Sequence, residues 1–138
     1  MTYAGDLSPA EAWTLLENEP DSVLVDVRTR PEWSFVGVPD LTPIGKQTVF
    51  LSWQVFPAMN RNEQFVPELG GAFPEPDRAL LFICRSGGRS RDAAVAMTGA
   101  GYLRCYNVRT GFEGATDEQR HRGSKAGWKA DGLPWVQE

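Results

Sequence analysis

The stretch that decides the fold of this 138-residue chain is Ala79-Leu80-Leu81-Phe82-Ile83-Cys84-Arg85-Ser86-Gly87-Gly88-Arg89-Ser90. Its first five residues are apolar and predict a buried strand, and the alanine-rich residues after it predict a helix. A cysteine therefore lies where a strand ends and a helix begins, with two glycines in the turn. Glycine lets backbone N–H groups point inward, and inward N–H groups at a helix N-terminus bind anions. These groups and the two arginines favour the thiolate, which is the reactive form of cysteine.

Cys84 has a second interpretation, that of a buried structural cysteine beside an ordinary glycine-rich turn. The sequence disfavours it, because Arg85, Arg89 and the two glycines have little structural purpose so close to an apolar cysteine. The other cysteine, Cys105, lies among apolar residues, which predicts a buried and inert thiol. The alternative for Cys105 is a role as a resolving thiol.

Composition places the chain among ordinary globular proteins. With 138 residues, of which 41% are hydrophobic and 23% charged, we expect one domain spanning residues 1–138. The net charge of −4 argues against a nucleic-acid binder, which is usually basic. Arg85, Arg89 and Arg91 nevertheless form a local positive segment, which suits a small anionic ligand.

The cysteine and histidine content bears on compartment and metal binding. Two cysteines form no disulfide framework, so folding needs no oxidising compartment. Residues 1–6 lack the basic and apolar regions of a signal peptide, and no apolar run approaches the roughly 18 residues of a membrane span. We therefore expect a cytoplasmic protein that contacts no membrane. His121, the single histidine, has no partners at metal-ligand spacing, so we predict a surface residue and no metal site.

Two capping boxes predict helix starts in the N-terminal part of the chain. Ser8 and Glu11 have the spacing of one, with a proline at the first helical position. Thr29 and Glu32 have the spacing of the other and predict a second, short helix. Between them, residues 22–27 are rich in valine and predict an inner parallel strand.

Asp26 and Arg28 lie at the C-terminal end of this strand, the edge at which open α/β sheets bind ligands. For Asp26, a site role and a role as a cap or turn residue are equally supported. For Arg28, a surface or ion-paired residue is the favoured interpretation over a role in the site.

Further strands and helices are predicted in the middle of the chain. Residues 49–51 predict a short strand. Between residues 52 and 76, prolines and glycines interrupt the apolar residues, which predicts one or two short helices and then a loop over 70–76. A helix over 88–98 ends at glycines, and another strand follows within 102–108.

Strands that alternate with helices predict a doubly wound parallel sheet with helices on both faces. Right-handed crossovers then place the strand ends, and Cys84 with them, along one edge. Residues 109–114 predict a turn at that edge. Trp128 and Trp135 predict a closing segment that packs onto the core.

Three stretches resemble the single-domain rhodaneses, a family of sulfurtransferases. Residues 84–90 resemble the active-site loop of that family. Residues 24–28, followed by Glu32 and Trp33, resemble its Asp-x-Arg and Glu-aromatic signature, and residues 127–135 resemble its closing segment. The resemblance spans most of the chain and implies a rhodanese-like α/β fold, a doubly wound parallel sheet of about five strands with helices on both faces.

The resemblance also implies roles for individual residues. Cys84 is implied as the catalytic nucleophile. The implied substrate-binding residues are Arg85, Ser86, Gly87, Gly88, Arg89 and Ser90. Arg89 closes the loop and takes a carboxylate partner, for which Asp26 and Glu32 are the candidates. Arg28 is implied as a further supporting residue.

The implied reaction is transfer of a sulfane sulfur, and the residues support that chemistry. The Cys84 thiolate attacks a small anionic donor such as thiosulfate and becomes a persulfide. The sulfur then passes to cyanide, a small thiol or a protein cysteine. No metal or organic cofactor is needed. Gly37 stands where the family pattern has a histidine, so no histidine role carries over to this position.

Two other function classes remain open. Cysteine phosphatases and arsenate reductases also place a thiolate in an anion-binding loop. Tyrosine phosphatases, however, need five residues between cysteine and arginine, whereas four separate Cys84 from Arg89. The other class is a non-catalytic interaction module. Domains of this fold often lose the cysteine, which is present here together with both arginines and both glycines.

Overall fold

The computed structural model describes residues 2–137. In chain order its elements are β1 (Gly5–Leu7), α1 (Pro9–Asn18), β2 (Val23–Asp26), α2 (Arg30–Val36), β3 (Val38–Pro39), a 3₁₀ turn (Thr42–Ile44), β4 (Val49–Phe50), β5 (Gln54–Val55), β6 (Asn60–Arg61), α3 (Phe65–Ala72), β7 (Leu80–Ile83), α4 (Gly88–Gly99), β8 (Cys105–Val108) and β9 (Trp135–Val136).

Five of these strands form one parallel sheet in the order β1-β8-β7-β2-β4. The central strand β7 pairs with β2 on one side, where Leu80 faces Val23, and with β8 on the other, where Leu80 faces Cys105. This arrangement confirms the predicted doubly wound sheet. Because the strands are parallel, their carboxyl ends meet at one edge, and the loop after β7 lies at the centre of that edge.

Side chains of the central strands alternate between the two faces of the sheet, and each face is covered by helices. Val25 and Phe82 point to the face covered by α3 and α4, together with Phe65 and Met97. The opposite face is covered by α1. Its buried cluster includes Ala12, Leu16, Leu24, Leu81 and Ile83. Since β2 and β7 are buried on both faces, their sequences are continuously apolar up to Asp26 and Cys84.

Both predicted helix starts are confirmed. The Ser8 hydroxyl accepts a hydrogen bond from the Glu11 N–H at 3.1 Å, and the Glu11 carboxylate accepts one from the Ser8 N–H at 2.8 Å. At α2, the Thr29 N–H donates to Glu32 Oε1 at 3.1 Å. The longest helix, α4, has 12 residues, and within residues 2–137 no helix has the length and apolar character that a membrane span requires.

The segment between β4 and β7 contains the predicted short helix, α3, but departs from the prediction in two other respects. It begins with a hairpin of β5 and β6 rather than a helix, and α3 continues through Gly70 and Gly71, where a loop was predicted. The reason is tertiary, because Phe65 and Leu69 are buried on the sheet and hold the helix there. The Tyr102 hydroxyl then donates to the carbonyl oxygen of Phe73 at 2.8 Å, just beyond the helix end.

Candidate active site

Cys84 lies directly after β7, and only 1% of its surface is exposed. Its Sγ accepts a hydrogen bond from the backbone N–H of Gly87 at 3.1 Å. The Ser90 hydroxyl lies 3.2 Å from the same sulfur. The sequence predicted several inward N–H groups, but within residues 2–137 Gly87 is the one residue whose backbone N–H donates to Sγ. Ser90 therefore supplies the second polar contact of the thiol.

Gly87 turns the chain from the strand into the helix. Its φ is +111°, and a Cβ at this position would overlap the carbonyl oxygen of Arg109, so glycine is required on both counts. Gly88 already belongs to the 12-residue helix α4, of which Gly87 is the N-cap. The sulfur consequently lies at a helix N-terminus, where the helix dipole favours negative charge. Gly88 has no neighbour that a Cβ would meet within 4 Å, so only the first of the two glycines is constrained.

Arg89 is fixed by Glu32 rather than by Asp26. Its two terminal nitrogens donate to the two carboxylate oxygens of Glu32 at 2.7 and 2.9 Å. This is the bidentate geometry that gives arginine–carboxylate pairs their directional strength. The pair joins the first turn of α4 to the first turn of α2, so the helix that follows β2 holds the loop that follows β7.

The ion pair determines the protonation of Glu32. Burial raises the pKa of this carboxyl, but the Arg89 guanidinium and the hydrogen bonds from Thr29 outweigh it and lower the pKa from 4.5 to about 2. The carboxylate form is thus favoured in the folded protein relative to the unfolded chain. The pair therefore contributes stability that is complete above pH 4.5 and is lost as the pH falls toward 2.

Asp26 pairs instead with Arg28, and both side chains are fully buried. Arg28 Nε donates to Asp26 Oδ1 at 3.0 Å and Nη2 donates to Oδ2 at 2.7 Å. Nη2 also donates to the carbonyl oxygen of Gly37 at 2.8 Å, and the guanidinium lies 4.4 Å from the centre of the Phe112 ring. Arg28 is ion-paired, as the sequence indicated, but it lies inside the protein. Asp26 is thereby its structural partner and not that of Arg89.

The departure from the family pattern at Gly37 has a steric explanation. Gly37 has a φ of +107°, and a Cβ there would lie 2.8 Å from the Trp135 ring and 2.9 Å from the carbonyl oxygen of Val136. These two residues form β9, which pairs with β3. The closing segment therefore occupies the space that a histidine side chain would need.

The predicted turn over residues 109–114 lies behind the loop at the same edge of the sheet. The Phe112 N–H donates to the carbonyl oxygen of Cys84 at 2.8 Å, and the Glu113 N–H donates to that of Arg85 at 3.0 Å. These hydrogen bonds fix the loop backbone to the turn, and Gly87 packs against Arg109 of the same turn. Trp128 in the closing segment is fully buried, as predicted.

One residue of the site was not found from the sequence. Asn107 of β8 is 4% exposed, and its Oδ1 accepts a hydrogen bond from the Ser90 hydroxyl at 2.6 Å. Its Nδ2 lies 3.2 Å from both the carbonyl oxygen of Gly87 and the carboxylate of Asp6. The available signal was an amide residue inside an otherwise apolar strand, which must find polar partners when it is buried.

Of the remaining residues identified from the sequence, two lie on the exposed side of the loop and two lie outside it. Arg85 and Ser86 are exposed. Cys105 is buried in β8, and burial raises the pKa of its thiol to about 11, which disfavours the thiolate. His121 is exposed. In the described part of the chain, no three histidine, cysteine or acidic side chains come together in a way that could hold a metal ion.

Known proteins resemble this chain along almost its whole length. The family described as the STR4 middle domain matches residues 4–138. Uncharacterized protein RC0915 of Rickettsia conorii is 37% identical over 131 residues, which are 94% of this chain and 95% of the relative. Thiosulfate sulfurtransferase GlpE of Actinobacillus pleuropneumoniae is 26% identical over 129 residues, which are 94% of this chain and 90% of the relative.

Solved structures agree with these sequence relatives. The crystal structure of Rv0390 from M. tuberculosis has a TM-score of 0.90 and 46% identity, and the match covers 99% of this chain and 100% of that chain. Relatives from rice and Arabidopsis carry rhodanese-like names. Fold and sequence together lead to one assignment: the chain belongs to the family of the STR4 middle domain and is a rhodanese-like protein.

Proposed function

We propose that this protein is a sulfurtransferase that carries a sulfane sulfur as a persulfide on Cys84. The observation that carries the proposal is the position of Cys84 Sγ, 3.1 Å from the Gly87 N–H at the N-terminus of α4. A thiolate and a terminal persulfide sulfur both carry negative charge, and a fixed N–H group at a helix N-terminus stabilises such charge. The relative GlpE is named for a thiosulfate sulfurtransferase reaction.

The first half of the reaction loads the cysteine. The Cys84 thiolate attacks the outer sulfur of thiosulfate, a bond forms between the two sulfurs, and the sulfur–sulfur bond of thiosulfate breaks. Sulfite leaves with the electron pair of that bond. Arg85 is exposed at the loop mouth and has no ion-pair partner among residues 2–137, so its charge is available to the anionic donor.

The second half of the reaction removes the sulfur from the Cys84 persulfide. A thiophilic acceptor such as cyanide, a small thiol or a protein cysteine attacks the outer persulfide sulfur. The bond between that sulfur and Sγ breaks, and Cys84 returns to the thiolate. This is two-step covalent catalysis with ping-pong kinetics. Every electron pair is accounted for by the donor, Cys84 and the acceptor, so the proposed reaction uses no metal or organic cofactor.

The test compares two reactions on the same preparation, sulfur transfer from thiosulfate to cyanide and hydrolysis of phenyl phosphates. The wild-type protein and the Cys105→Ser variant should transfer sulfur and leave the phosphate esters almost untouched. The Cys84→Ser variant should catalyse neither sulfur transfer nor phosphate ester hydrolysis. The reason is that the loop from Cys84 to Arg89 has one residue fewer than a phosphatase loop, which must surround several equatorial oxygens. Phosphate hydrolysis faster than sulfur transfer by the wild-type protein would refute the proposal.

A second prediction concerns the ion pair that holds the loop. Glu32→Gln replaces the carboxylate by an amide that cannot accept both hydrogen bonds of Arg89, so the loop loses its anchor on α2. Sulfur transfer should fall roughly ten- to a hundredfold, as expected when a positioning contact is lost. The matched control is Glu19→Gln, which breaks a bidentate pair with Arg104 at 2.7 Å away from the loop. Equal activities of the two variants would show that Glu32 does not position the site.

A further inference from the structure

A chain of four hydrogen-bonded side chains begins at Cys84 and ends at the surface. Cys84 Sγ lies 3.2 Å from Ser90 Oγ, and Ser90 Oγ lies 2.6 Å from Asn107 Oδ1. Asn107 Nδ2 lies 3.2 Å from the carboxylate of Asp6 on β1. The first three side chains are 1%, 0% and 4% exposed. Because the contacts among these three side chains are buried, water cannot substitute there for a partner that turns away.

The orientation of the Asn107 amide follows from its neighbours. Nδ2 faces the carbonyl oxygen of Gly87 and the carboxylate of Asp6, and both are hydrogen-bond acceptors. A reversed amide would place Oδ1 against these two acceptors and leave Nδ2 toward Ser90. Oδ1 must therefore point at Ser90, where it can only accept.

A serine hydroxyl has one proton to donate, and Asn107 receives the proton of Ser90. Toward Cys84, Ser90 then presents only a lone pair. A neutral thiol is compatible with this arrangement, since its S–H can donate to Ser90 Oγ at 3.2 Å. A thiolate has no proton, so the same arrangement would set two lone pairs against each other.

We propose that Asn107 is a positioning residue that keeps the hydroxyl proton of Ser90 away from Cys84 and so holds the resting cysteine as a thiol. A thiolate at Cys84 favours the orientation in which the Ser90 proton turns toward Sγ, and that orientation leaves Asn107 Oδ1 buried without a donor. Asn107 thus lowers the reactivity of Cys84 in the free protein. Its role takes Cys84 as the nucleophile, so the assignment rests on the proposed function.

Charged groups near the loop also act on the cysteine and must be kept constant in a test. They are Arg85 of the loop, Arg89 of α4 with its partner Glu32 of α2, the buried Asp26 at the end of β2 with Arg28 beyond it, and Asp6 of β1. Substitutions of Asn107 or Ser90 by apolar residues leave all six in place. Differences between such variants then report hydrogen bonding and not a change of nearby charge.

The test is the rate at which iodoacetamide alkylates Cys84 at neutral pH, measured in a Cys105→Ser background. Asn107→Leu removes the competing acceptor, while the Gly87 carbonyl keeps the Arg91 N–H as a partner at 3.3 Å. The freed Ser90 proton can then stabilise the thiolate, and alkylation should accelerate about tenfold, the effect of one hydrogen bond to a charged group. Asn107→Val, smaller and well suited to a strand, serves as a second variant if leucine prevents folding.

A double-mutant cycle separates this role from a general loosening of the loop. In a Ser90→Ala background no hydroxyl proton exists to be released, so the same substitution of Asn107 should leave the alkylation rate unchanged. An equal acceleration in both backgrounds, or no acceleration with Ser90 present, would overturn the proposal. Alkylation requires no sulfur donor, so this result stands apart from the sulfur-transfer assay, whose failure would overturn the proposed function alone.

Discussion

Replacing Gly87 by alanine should abolish sulfur transfer and destabilise the fold. At a φ of +111° an alanine is strained, at a cost of about 1–3 kcal/mol. Its Cβ would also overlap the backbone carbonyl of Arg109, which cannot move aside as a flexible side chain could. The loop must therefore shift, and the N–H that contacts Cys84 Sγ moves away with it. Sulfur transfer from thiosulfate and the midpoint of urea unfolding are the two measurements.

The neighbouring glycine is the matched control. Gly88 begins α4, and apart from its chain neighbours and the backbone of its own helix no atom lies within 4 Å of the position that its Cβ would take. Gly88→Ala should keep the activity and leave stability unchanged or raise it by about 0.5–1 kcal/mol, the usual gain when alanine replaces glycine in a helix. If Gly87→Ala were as active as Gly88→Ala, the loop geometry would not be essential for the reaction.

Arg28→Met should destabilise the fold far more than the loss of a charged residue from an exposed ion pair. Asp26 would remain as a buried carboxylate without its cation, and the Gly37 carbonyl oxygen would lose its donor from Nη2. Removing one partner of a buried ion pair costs about 3–5 kcal/mol, a large part of the roughly 5–15 kcal/mol that stabilises a domain. The free energy of unfolding in urea measures the loss.

Arg104→Met provides the comparison for Arg28→Met. Arg104 and Glu19 form a bidentate pair with the same short distance of 2.7 Å, but their side chains are 36% and 40% exposed. Exposed pairs contribute about 0–1 kcal/mol. Arg28→Met should thus lose more unfolding free energy than Arg104→Met, because the two pairs share a bidentate geometry and differ in burial. An equal and small loss for Arg28→Met and Arg104→Met would contradict a structural role for the buried pair.

Local patterns predicted the elements that carry the site. Three of these patterns are the apolar run 79–83, Gly87 in the loop and the two capping boxes. Each spans fewer than about ten residues, a length over which propensity and periodicity act directly. The partner of Arg89 was narrowed to two carboxylates from the sequence. The choice of Glu32 over Asp26 depends on the packing of α2 against the loop, because Glu32 and Arg89 lie 57 positions apart in the sequence.

Features that depend on distant segments were not predictable. Asn107 has its role because β8 lies beside both β7 and β1, and this strand order is not encoded near residue 107. Strand β1 has three residues with an exposed aspartate at its centre, too short for a periodic signal. Gly70 and Gly71 suggested a loop, but burial of the preceding turn of α3 overrides their low helix propensity.

The most direct test of the central claim is the mass of the Cys84 peptide after treatment of the wild-type protein with thiosulfate. The Cys84 peptide should gain the mass of one sulfur atom, and the addition should disappear after exposure to cyanide. The Cys105 peptide should stay unmodified, because burial raises the pKa of that thiol to about 11 and keeps it protonated. An unmodified Cys84 peptide, or added sulfur on Cys105 instead, would contradict the proposal that Cys84 carries the transferred sulfur.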